Sequence, residues 1–154
     1  EMAVKVLDIC RPSTAPSSRL KSVNYLDNII ARRQAVGSGA QEGVLINEHG
    51  RIACAAAANI FIIQQDRIIT PPLTEGALPG TRRRQLLTHA KKIKSMTALT
   101  LAEAPISRQG LKNCEAAFLT NSLMGAVAIT AIDDYPKEKS PAMQAISEIL
   151  NMAD

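Results

Sequence analysis

The chain has 154 residues, of which 46% are hydrophobic and 21% charged, a balance typical of one soluble globular domain. No apolar run approaches the roughly 18 residues of a membrane-spanning helix, so a membrane protein is not expected. The formal charge of +4 permits an anionic ligand, but 3% aromatic residues and no Trp leave no stacking platform for nucleic acid.

The three cysteines, Cys10, Cys54 and Cys114, are odd in number and far apart along the chain. His49 and His89 lack partners at metal-ligand spacing, so the sequence predicts no metal site. Cysteine use of this kind is typical of a reducing, cytoplasmic setting.

The first third of the chain predicts a strand, a loop, a helix and a hairpin, in that order. Residues 2–9 alternate apolar and polar side chains, whereas residues 11–18 carry two prolines and four Ser or Thr. Apolar positions recur at helical spacing over residues 22–36. Two short strands, 43–47 and 51–55, then flank a Glu-His-Gly turn.

The rest of the chain alternates strand pairs with helices, separated by a Pro- and Gly-rich loop at residues 71–80. Strands are predicted at residues 59–64, 67–70, 98–102, 116–120 and 126–132, and helices at residues 81–94, from 107 and from 140. Because neighbouring strands are joined by tight hairpins, the pattern indicates a mixed α+β fold whose mixed or antiparallel sheet is covered by helices.

Lys21 is the first candidate functional residue, at the end of the polar loop and just before the predicted helix. On its own it is an ordinary surface lysine, because charged side chains mostly lie at the surface. A lysine becomes a nucleophile that forms a Schiff base only where burial or a neighbouring cation lowers its pKa.

Two later segments could each hold an anion. In residues 78–82 a Gly-containing loop enters a helix, where free backbone N–H groups and the positive end of the helix dipole favour phosphate. In residues 119–125 three small polar residues end a strand and could direct hydroxyls and amides at an anion. Taken singly, each segment is more simply an ordinary turn.

Seven short motifs follow one another with even spacing over residues 19–132. They are Lys-Ser-x-Asn-Tyr-Leu, Ala-Arg, Glu-Gly, Asn-Ile-Phe, Thr-Pro-Pro-Leu, Ala-Leu-Pro-Gly and Thr-Asn-Ser, beginning at residues 21, 31, 42, 59, 70, 77 and 120. This ordered set resembles the class IV aminotransferases, a family of pyridoxal-phosphate (PLP) enzymes that includes branched-chain and D-amino-acid aminotransferases and aminodeoxychorismate lyases. The resemblance implies the large domain of a fold-type IV PLP enzyme, with a mostly antiparallel, barrel-like mixed sheet.

The resemblance also implies a role for each candidate residue. Lys21 would hold PLP as a Schiff base and move the proton between the substrate Cα and the cofactor. Tyr25 would bind the ring hydroxylate, and Leu78 would pack on one face of the pyridine ring. The phosphate would be held by two backbone amides and one hydroxyl, those of Gly80, Thr81 and Ser122.

Two positions depart from the family pattern. Counting back from Asn59, the family places at Cys54 a Glu whose carboxylate keeps the pyridine nitrogen protonated. A neutral thiol is at best a weak donor, so we expect slow or absent transamination, or an elimination that depends less on the ring. Arg82 stands where many members carry a phosphate-binding Thr, and it would either bind the phosphate or point into solvent with Arg83 and Arg84.

The resemblance covers only part of a family member. Members carry a smaller N-terminal domain of roughly a hundred residues, which supplies an arginine to the phosphate. Residues 1–154 are therefore expected to be a single C-terminal, cofactor-binding domain without that small domain. Glu1 in place of an initiating Met favours a fragment, and the family implies a homodimer with its active site near the subunit boundary.

The leading functional expectation is a PLP-dependent aminotransferase that acts on an amino acid through Lys21. A 4-amino-4-deoxychorismate lyase is the close alternative, because the run Asn-Ser-Leu-Met-Gly from Asn121 looks more like the lyases. A catalytically impaired relative that binds PLP weakly or not at all is the third, because of Cys54 and the missing small domain. No nucleic-acid, metal or membrane partner is expected.

Overall fold

The computed structural model describes residues 1–152, which form one curled sheet with helices packed against it. The strands are β1 (Met2–Cys10), β2 (Glu42–Ile46), β3 (Ile52–Ala55), β4 (Asn59–Gln64), β5 (Arg67–Thr70), β6 (Thr100–Glu103), β7 (Ala116–Asn121), β8 (Gly125–Ile132) and β9 (Tyr135–Pro136). The helices are α1 (Pro16–Arg19), α2 (Leu26–Gly37), α3 (Thr81–Thr88), α4 (Ala90–Thr97), α5 (Arg108–Asn113) and α6 (Ala142–Leu150). Helices α3, α4 and α6 pack on the outer face of the sheet, and Leu111 of α5 packs in its interior. None of the helices in this described part is long and apolar enough to cross a membrane.

In space the strands run in the order β3-β2-β1-β8-β7-β4-β5-β6, with β9 beside β8. β1 is parallel to β2 and β8, and β5 is parallel to β6, whereas the other strand pairs are antiparallel. Beyond β6 the chain returns to the opposite edge, where the Ile52 N–H donates to the Ile106 carbonyl at 2.8 Å. The expected fold class, a mostly antiparallel, barrel-like mixed sheet with packed helices, is confirmed.

Strand β4 shows why the sheet is apolar on both faces. Ile60 and Ile62 point into the interior of the curl, whereas Phe61 lies on the other face, in the core beneath α3, α4 and α6. Phe61 is the register partner of Phe118 on β7, and their rings stack with centroids 4.8 Å apart. Such an aromatic pair stabilises the fold by about 0.5–1.5 kcal/mol beyond its buried area.

The helix predicted from residue 22 begins later, at Leu26, and the preceding residues form an open loop in which Val23 is fully exposed. Tyr25, the residue before the helix, has φ −118° and ψ 19°, and its hydroxyl is bonded to the carbonyl of Ala56. This contact spans 31 positions of sequence, so helical spacing alone does not reveal it. The difference matters because the loop carries Lys21.

The helix predicted over residues 81–94 consists of two helices, α3 and α4, which are divided at His89. The His89 ring nitrogen Nδ1 lies 2.9 Å from the carbonyl oxygen of Gln85, and the His89 backbone has φ −96° and ψ 20°. Helix α4 then continues to Thr97, so the next strand begins at Thr100 rather than near residue 98.

Two smaller boundaries also differ from the predictions. The short helix α1 occupies the end of the segment predicted as a loop at residues 11–18. The last helix begins at Ala142 rather than at Ser140, although the Ser140 hydroxyl accepts a hydrogen bond from the Ala142 N–H at 3.2 Å. The serine therefore binds the first turn, as an N-terminal capping residue does.

Candidate functional site

A cavity of about 80 Å³ opens on the helix-bearing face of the sheet, between α2 and the turn that precedes α3. Four residues singled out from the sequence line it together: Lys21, Tyr25, Cys54 and Leu78. They come from the loop before α2, from β3 and from the loop before α3. The fold therefore brings into one cavity residues that are far apart in the chain.

Lys21 lies in the loop between α1 and α2 and is exposed, although it also lines the cavity. Its Nζ atom lies 5.8 Å from the centre of the Tyr25 ring, within the range of a cation–π contact. The lysine thus lies at the rim of the cavity, where its amine can reach a bound molecule.

Tyr25 directs its hydroxyl at the turn that follows β3. The hydroxyl donates to the Ala56 carbonyl at 2.8 Å, and Asn28 Nδ2 donates to the same oxygen at 2.6 Å. Burial raises the pKa of Tyr25, and the nearby Cys54 raises it further. The phenol therefore stays protonated and acts as a donor that ties the loop to the turn.

Cys54 is the deeply buried member of the group, with 3% of its surface exposed. It is the register partner of Leu45, whose side chain packs with Ala31 of α2, so Cys54 faces the α2 side of the sheet. Burial raises the pKa of the thiol to about 11, and the cation of Arg11 opposes that shift. The thiol is uncharged at neutral pH, and within residues 1–152 no Asp or Glu lines this cavity.

Arg11 also lines the cavity, although no motif in the sequence singled it out. Its guanidinium donates from Nε to the Gly76 carbonyl at 2.9 Å and from Nη2 to the Ser18 carbonyl at 2.7 Å. Nη1 lies 3.5 Å from Asn28 Oδ1. The cation is therefore fixed by neutral acceptors, and its charge is not neutralised by a carboxylate in the cavity wall.

On the opposite side, the turn before α3 is held by Asn59. Its Nδ2 donates to the Leu78 carbonyl at 2.8 Å. A Cβ added to Gly80 would lie 2.1 Å from Asn59 Oδ1, so this position accepts only glycine without movement. The close approach explains why a glycine ends the turn.

The first turn of α3 carries a pair of hydroxyls. Thr81 Oγ1 lies 2.9 Å from Ser122 Oγ, which reaches it from the turn after β7. Gly80 is the N-cap residue, and no side chain caps the helix, so its first backbone N–H groups remain available to a ligand. The structure thus brings together Gly80, Thr81 and Ser122, but Thr81 and Ser122 line a second cavity with Arg82 rather than the cavity that contains Lys21.

Thr120 belongs to the run of three small polar residues that could direct hydroxyls and amides at an anion, although the sequence assigned it no role of its own. It is fully buried on β7, it lines the cavity, and its Oγ1 has no hydrogen-bond partner in the part of the chain that the structure describes.

Arg82 and Arg83 are placed differently from expectation. Arg82 Nη1 donates to the Leu150 carbonyl at 2.7 Å and to Gln85 Oε1 at 2.9 Å, so the side chain lies against the C-terminal end of α6 rather than in solvent. Its role toward a phosphate stays a prediction. Arg83 is buried, because its guanidinium binds the Pro71 carbonyl and Glu103.

A metal centre finds no support in the described residues, because no three His, Cys, Asp or Glu side chains lie close enough together to hold an ion. The site instead combines the amine of Lys21, the apolar side chain of Leu78 and the neutral thiol of Cys54 with the nearby uncapped N-terminus of α3. This set suits an organic molecule that carries an anionic group.

Comparison with family models gives one match, to amino-transferase class IV, over residues 1–132. Among curated proteins, the aminodeoxychorismate lyase of Bacillus subtilis is 32% identical over 155 residues, which cover 96% of this chain and 52% of that protein. The branched-chain-amino-acid aminotransferase of Escherichia coli K12 is 27% identical over 122 residues, which cover 79% of this chain and 38% of the relative. The chain thus spans about half the length of the curated relatives it matches, or less.

Solved structures give the same result for the fold. A Legionella pneumophila protein assigned as a 4-amino-4-deoxychorismate lyase superposes with a TM-score of 0.89 at 30% identity, covering 97% of this chain and 55% of that one. The branched-chain aminotransferase of Thermoproteus uzoniensis, solved with norvaline, superposes with a TM-score of 0.87 at 27% identity, covering 97% and 50%.

Proposed function

The chain belongs to the class IV aminotransferase family, and on that premise we propose that it is the cofactor-bearing domain of a PLP-dependent, aminotransferase-like enzyme that acts on an amino acid. The observation that carries the proposal is the shared cavity, which Lys21, Tyr25, Cys54 and Leu78 line together beside the turn before α3.

The residues of the cavity fit this cofactor. PLP needs an amine for its aldehyde, an apolar surface for its ring and an anion site for its phosphate. The cavity offers Lys21 and Leu78, and the first turn of α3, which follows Leu78 in the chain, offers uncapped backbone N–H groups. The buried Thr120 hydroxyl, which lacks a partner among residues 1–152, also calls for a polar group inside the cavity. When bound, PLP supplies an electron-accepting ring that stabilises negative charge on the substrate Cα.

Each residue then has a defined task. The Lys21 Nζ atom would hold the cofactor aldehyde and would take up or return the proton of the substrate Cα. Tyr25 holds the lysine loop against the turn after β3, and its phenol would bind the ring oxygen by turning its one proton from the Ala56 carbonyl to that oxygen. Leu78 would cover one face of the ring and exclude water, and the backbone N–H groups of the first turn of α3 would bind the phosphate with the Thr81 and Ser122 hydroxyls.

A second candidate, a 4-amino-4-deoxychorismate lyase, is favoured by Cys54. An uncharged thiol near the Arg11 cation does not donate a proton to the ring nitrogen as a carboxylic acid would, so the ring accepts electrons less well. Transamination requires a ring that accepts electrons well, whereas an elimination requires this less. Cys54 is therefore expected to slow transamination more than elimination. The similarity to the Bacillus subtilis lyase supports the same reading.

The proposal also includes the protein surfaces that cover the loop around Lys21. Three large apolar side chains around Lys21 are 62–102% exposed, those of Leu20, Val23 and Leu26. Exposed apolar side chains next to a site indicate that another protein surface packs against them. We assign that cover to the small N-terminal domain of the family and to a second copy of the chain in a homodimer. The free thiols of Cys10, Cys54 and Cys114 fit a cytoplasmic setting.

Borohydride trapping tests the proposal. The full-length protein is loaded with PLP, reduced with borohydride and digested, and the cofactor is expected on the peptide that contains Lys21. Lys21→Ala should abolish both the trapped adduct and the visible absorbance of the bound cofactor. Lys91→Ala, at an exposed lysine of α4, is the matched control and should keep both. Trapping at another lysine, or undiminished trapping in Lys21→Ala, would disprove the proposal.

Product analysis separates the two candidate reactions. An aminotransferase releases a keto acid from an amino-acid substrate, whereas the lyase releases 4-aminobenzoate from aminodeoxychorismate. Both assays are run on the same PLP-loaded protein, so a positive result in one and a negative result in the other decides between them.

A further inference from the structure

Thr120 presents a buried hydroxyl that no group of the described chain binds. Thr120 is 0% exposed, and its Oγ1 is one of two buried side-chain polar atoms without a partner among residues 1–152. The other is Arg83 Nε, which belongs to a guanidinium that is otherwise bound by the Pro71 carbonyl and Glu103. Thr120 therefore differs from Arg83, because its only polar side-chain group has no partner in the described residues.

An unpaired buried hydroxyl destabilises a protein, because it gives up its bonds to water and gains none in return. Valine has nearly the same shape and would fill the same space without that loss. Thr120 lines the cavity that contains Lys21, so a bound molecule can supply the missing partner.

The position of Thr120 indicates which end of a bound molecule it meets. Thr120 pairs in register with Asn59, whose amide holds the Leu78 carbonyl and adjoins Gly80. It therefore lies on the side of the cavity next to the first turn of α3. Lys21 reaches the same cavity from the loop before α2.

We propose that the Thr120 hydroxyl donates a hydrogen bond to an oxygen of the phosphate-bearing arm of the cofactor. This rests on the proposed function, in which the aldehyde is held by Lys21 and the phosphate by the turn before α3. A phosphate ester at neutral pH offers acceptor oxygens, and a threonine hydroxyl is free to donate to one. Thr120 is thus a cofactor-binding residue in the cavity wall that it shares with Asn59 and Leu78.

Two variants of the full-length protein test this assignment. Thr120→Val removes the hydroxyl and keeps the shape, whereas Thr120→Ser keeps the hydroxyl and removes a methyl group. Each is titrated with PLP and with pyridoxal, which has the aldehyde and ring but no phosphate. The second readout is the thermal midpoint of the protein without cofactor.

Thr120→Val should bind PLP about tenfold more weakly than the wild type, the effect of losing one hydrogen bond to a charged group. Its affinity for pyridoxal should be unchanged, and without cofactor it should unfold at the same temperature or higher, because an unpaired polar atom has gone. Thr120→Ser should keep the wild-type ratio of PLP to pyridoxal affinity.

Three results would overturn the assignment. Equal weakening of PLP and pyridoxal in Thr120→Val would place the contact on the ring. A lower unfolding temperature with unchanged PLP affinity would make the hydroxyl a structural group. Wild-type affinity for both compounds would show that the hydroxyl binds neither. Failure of the wild type to bind PLP would instead overturn the proposed function, and this inference with it.

Discussion

The two sides of the cavity differ in how completely this chain builds them. The lysine side (Lys21, Tyr25 and Cys54) includes an exposed loop, and the hydroxyl of Tyr25 is already bonded to a backbone carbonyl. The glycine side (Asn59, Gly80 and Thr120) is packed so closely that an added methyl group at Gly80 would collide, yet among the described residues the Thr120 hydroxyl has no partner. The lysine side is held by hydrogen bonds, but its loop is exposed to solvent. The glycine side is closely packed, but it contains a hydroxyl without a partner among the described residues.

This difference assigns separate tasks to the two sides. A closely packed wall with one unpaired hydroxyl is prepared for an anion, because that hydroxyl is already in place when the ligand arrives. The exposed loop with Leu20 and Val23 beside it needs another surface before it can exclude water. We therefore expect cofactor affinity to depend mainly on the glycine side, and turnover on the lysine side and the parts that cover it.

Gly80→Ala should give the largest effect and tests the glycine side. The added Cβ would lie 2.1 Å from Asn59 Oδ1, so the Asn59 amide must move and its bond to the Leu78 carbonyl is lost. We expect a loss of about 1–3 kcal/mol in the free energy of unfolding, the usual cost of overpacking. Denaturant unfolding measures it, and a PLP titration should show weaker binding in parallel.

Gly37→Ala is the control for that experiment, because a Cβ at this position in α2 meets no atom within 4 Å. It should leave PLP affinity unchanged and the free energy of unfolding unchanged or slightly higher. If Gly80→Ala behaves like Gly37→Ala, the glycine side is not rigid and the contrast between the two sides fails.

Cys54→Glu tests the chemistry of the lysine side. A carboxyl group here would face the cavity near the Arg11 cation and could share a proton with the ring nitrogen, which the present thiol does not do. We expect the transamination rate to rise about tenfold, equal to about 1.4 kcal/mol of barrier. Single-turnover conversion of an amino acid to its keto acid measures this rate.

Cys54→Gln is the matched control, because it has nearly the size of Glu without its charge. Only the Glu variant should gain rate, and the PLP affinity of both should change less than that of Gly80→Ala. An equal gain in both variants would attribute the effect to shape, and no gain in Cys54→Glu would refute the electronic role of position 54.

The sequence predicts the elements of this fold better than their ends. The strand predicted over residues 59–64 agrees with β4, an apolar segment that neighbouring elements bury on both faces. The predicted start of α2 was wrong, because the Tyr25 hydroxyl binds the carbonyl of Ala56, a residue distant in sequence, and Tyr25 lies outside the helix. The break at His89 was missed for a related reason, since no Gly or Pro marks it.

The same distinction holds for the site. Lys21 and Gly80 were selected because ordered motifs place them, and the structure brings their loops to one cavity and its edge. Arg11 was missed, and Thr120 was named only as part of a polar run, because their importance comes from partners that folding supplies or withholds. A hydroxyl without a partner is a property of three-dimensional packing, and no spacing of residues encodes it.

Glu48→Gln gives the smallest expected effect and sharpens the comparison through pH. The Glu48 carboxylate accepts from the Ser13 N–H at 2.8 Å and from the Ser13 hydroxyl at 2.6 Å, which fixes the segment that leads to Lys21. These bonds lower the pKa of Glu48 to about 2. A lowered folded-state pKa stabilises the protein above the ordinary glutamate value near 4.5, and the contribution is lost as pH falls toward 2.

The wild type should therefore melt slightly above Glu48→Gln at pH 7, and the gap should close between pH 4.5 and pH 2. Hydrogen exchange at pH 7 should increase in the variant over residues 11–25 and stay unchanged over residues 78–82, because only the lysine side depends on this carboxylate. Glu138→Gln, at an exposed position after β9, should change neither measurement. Equal loosening of both segments would mean that the two sides of the cavity unfold as one unit, and that this chain does not build them independently.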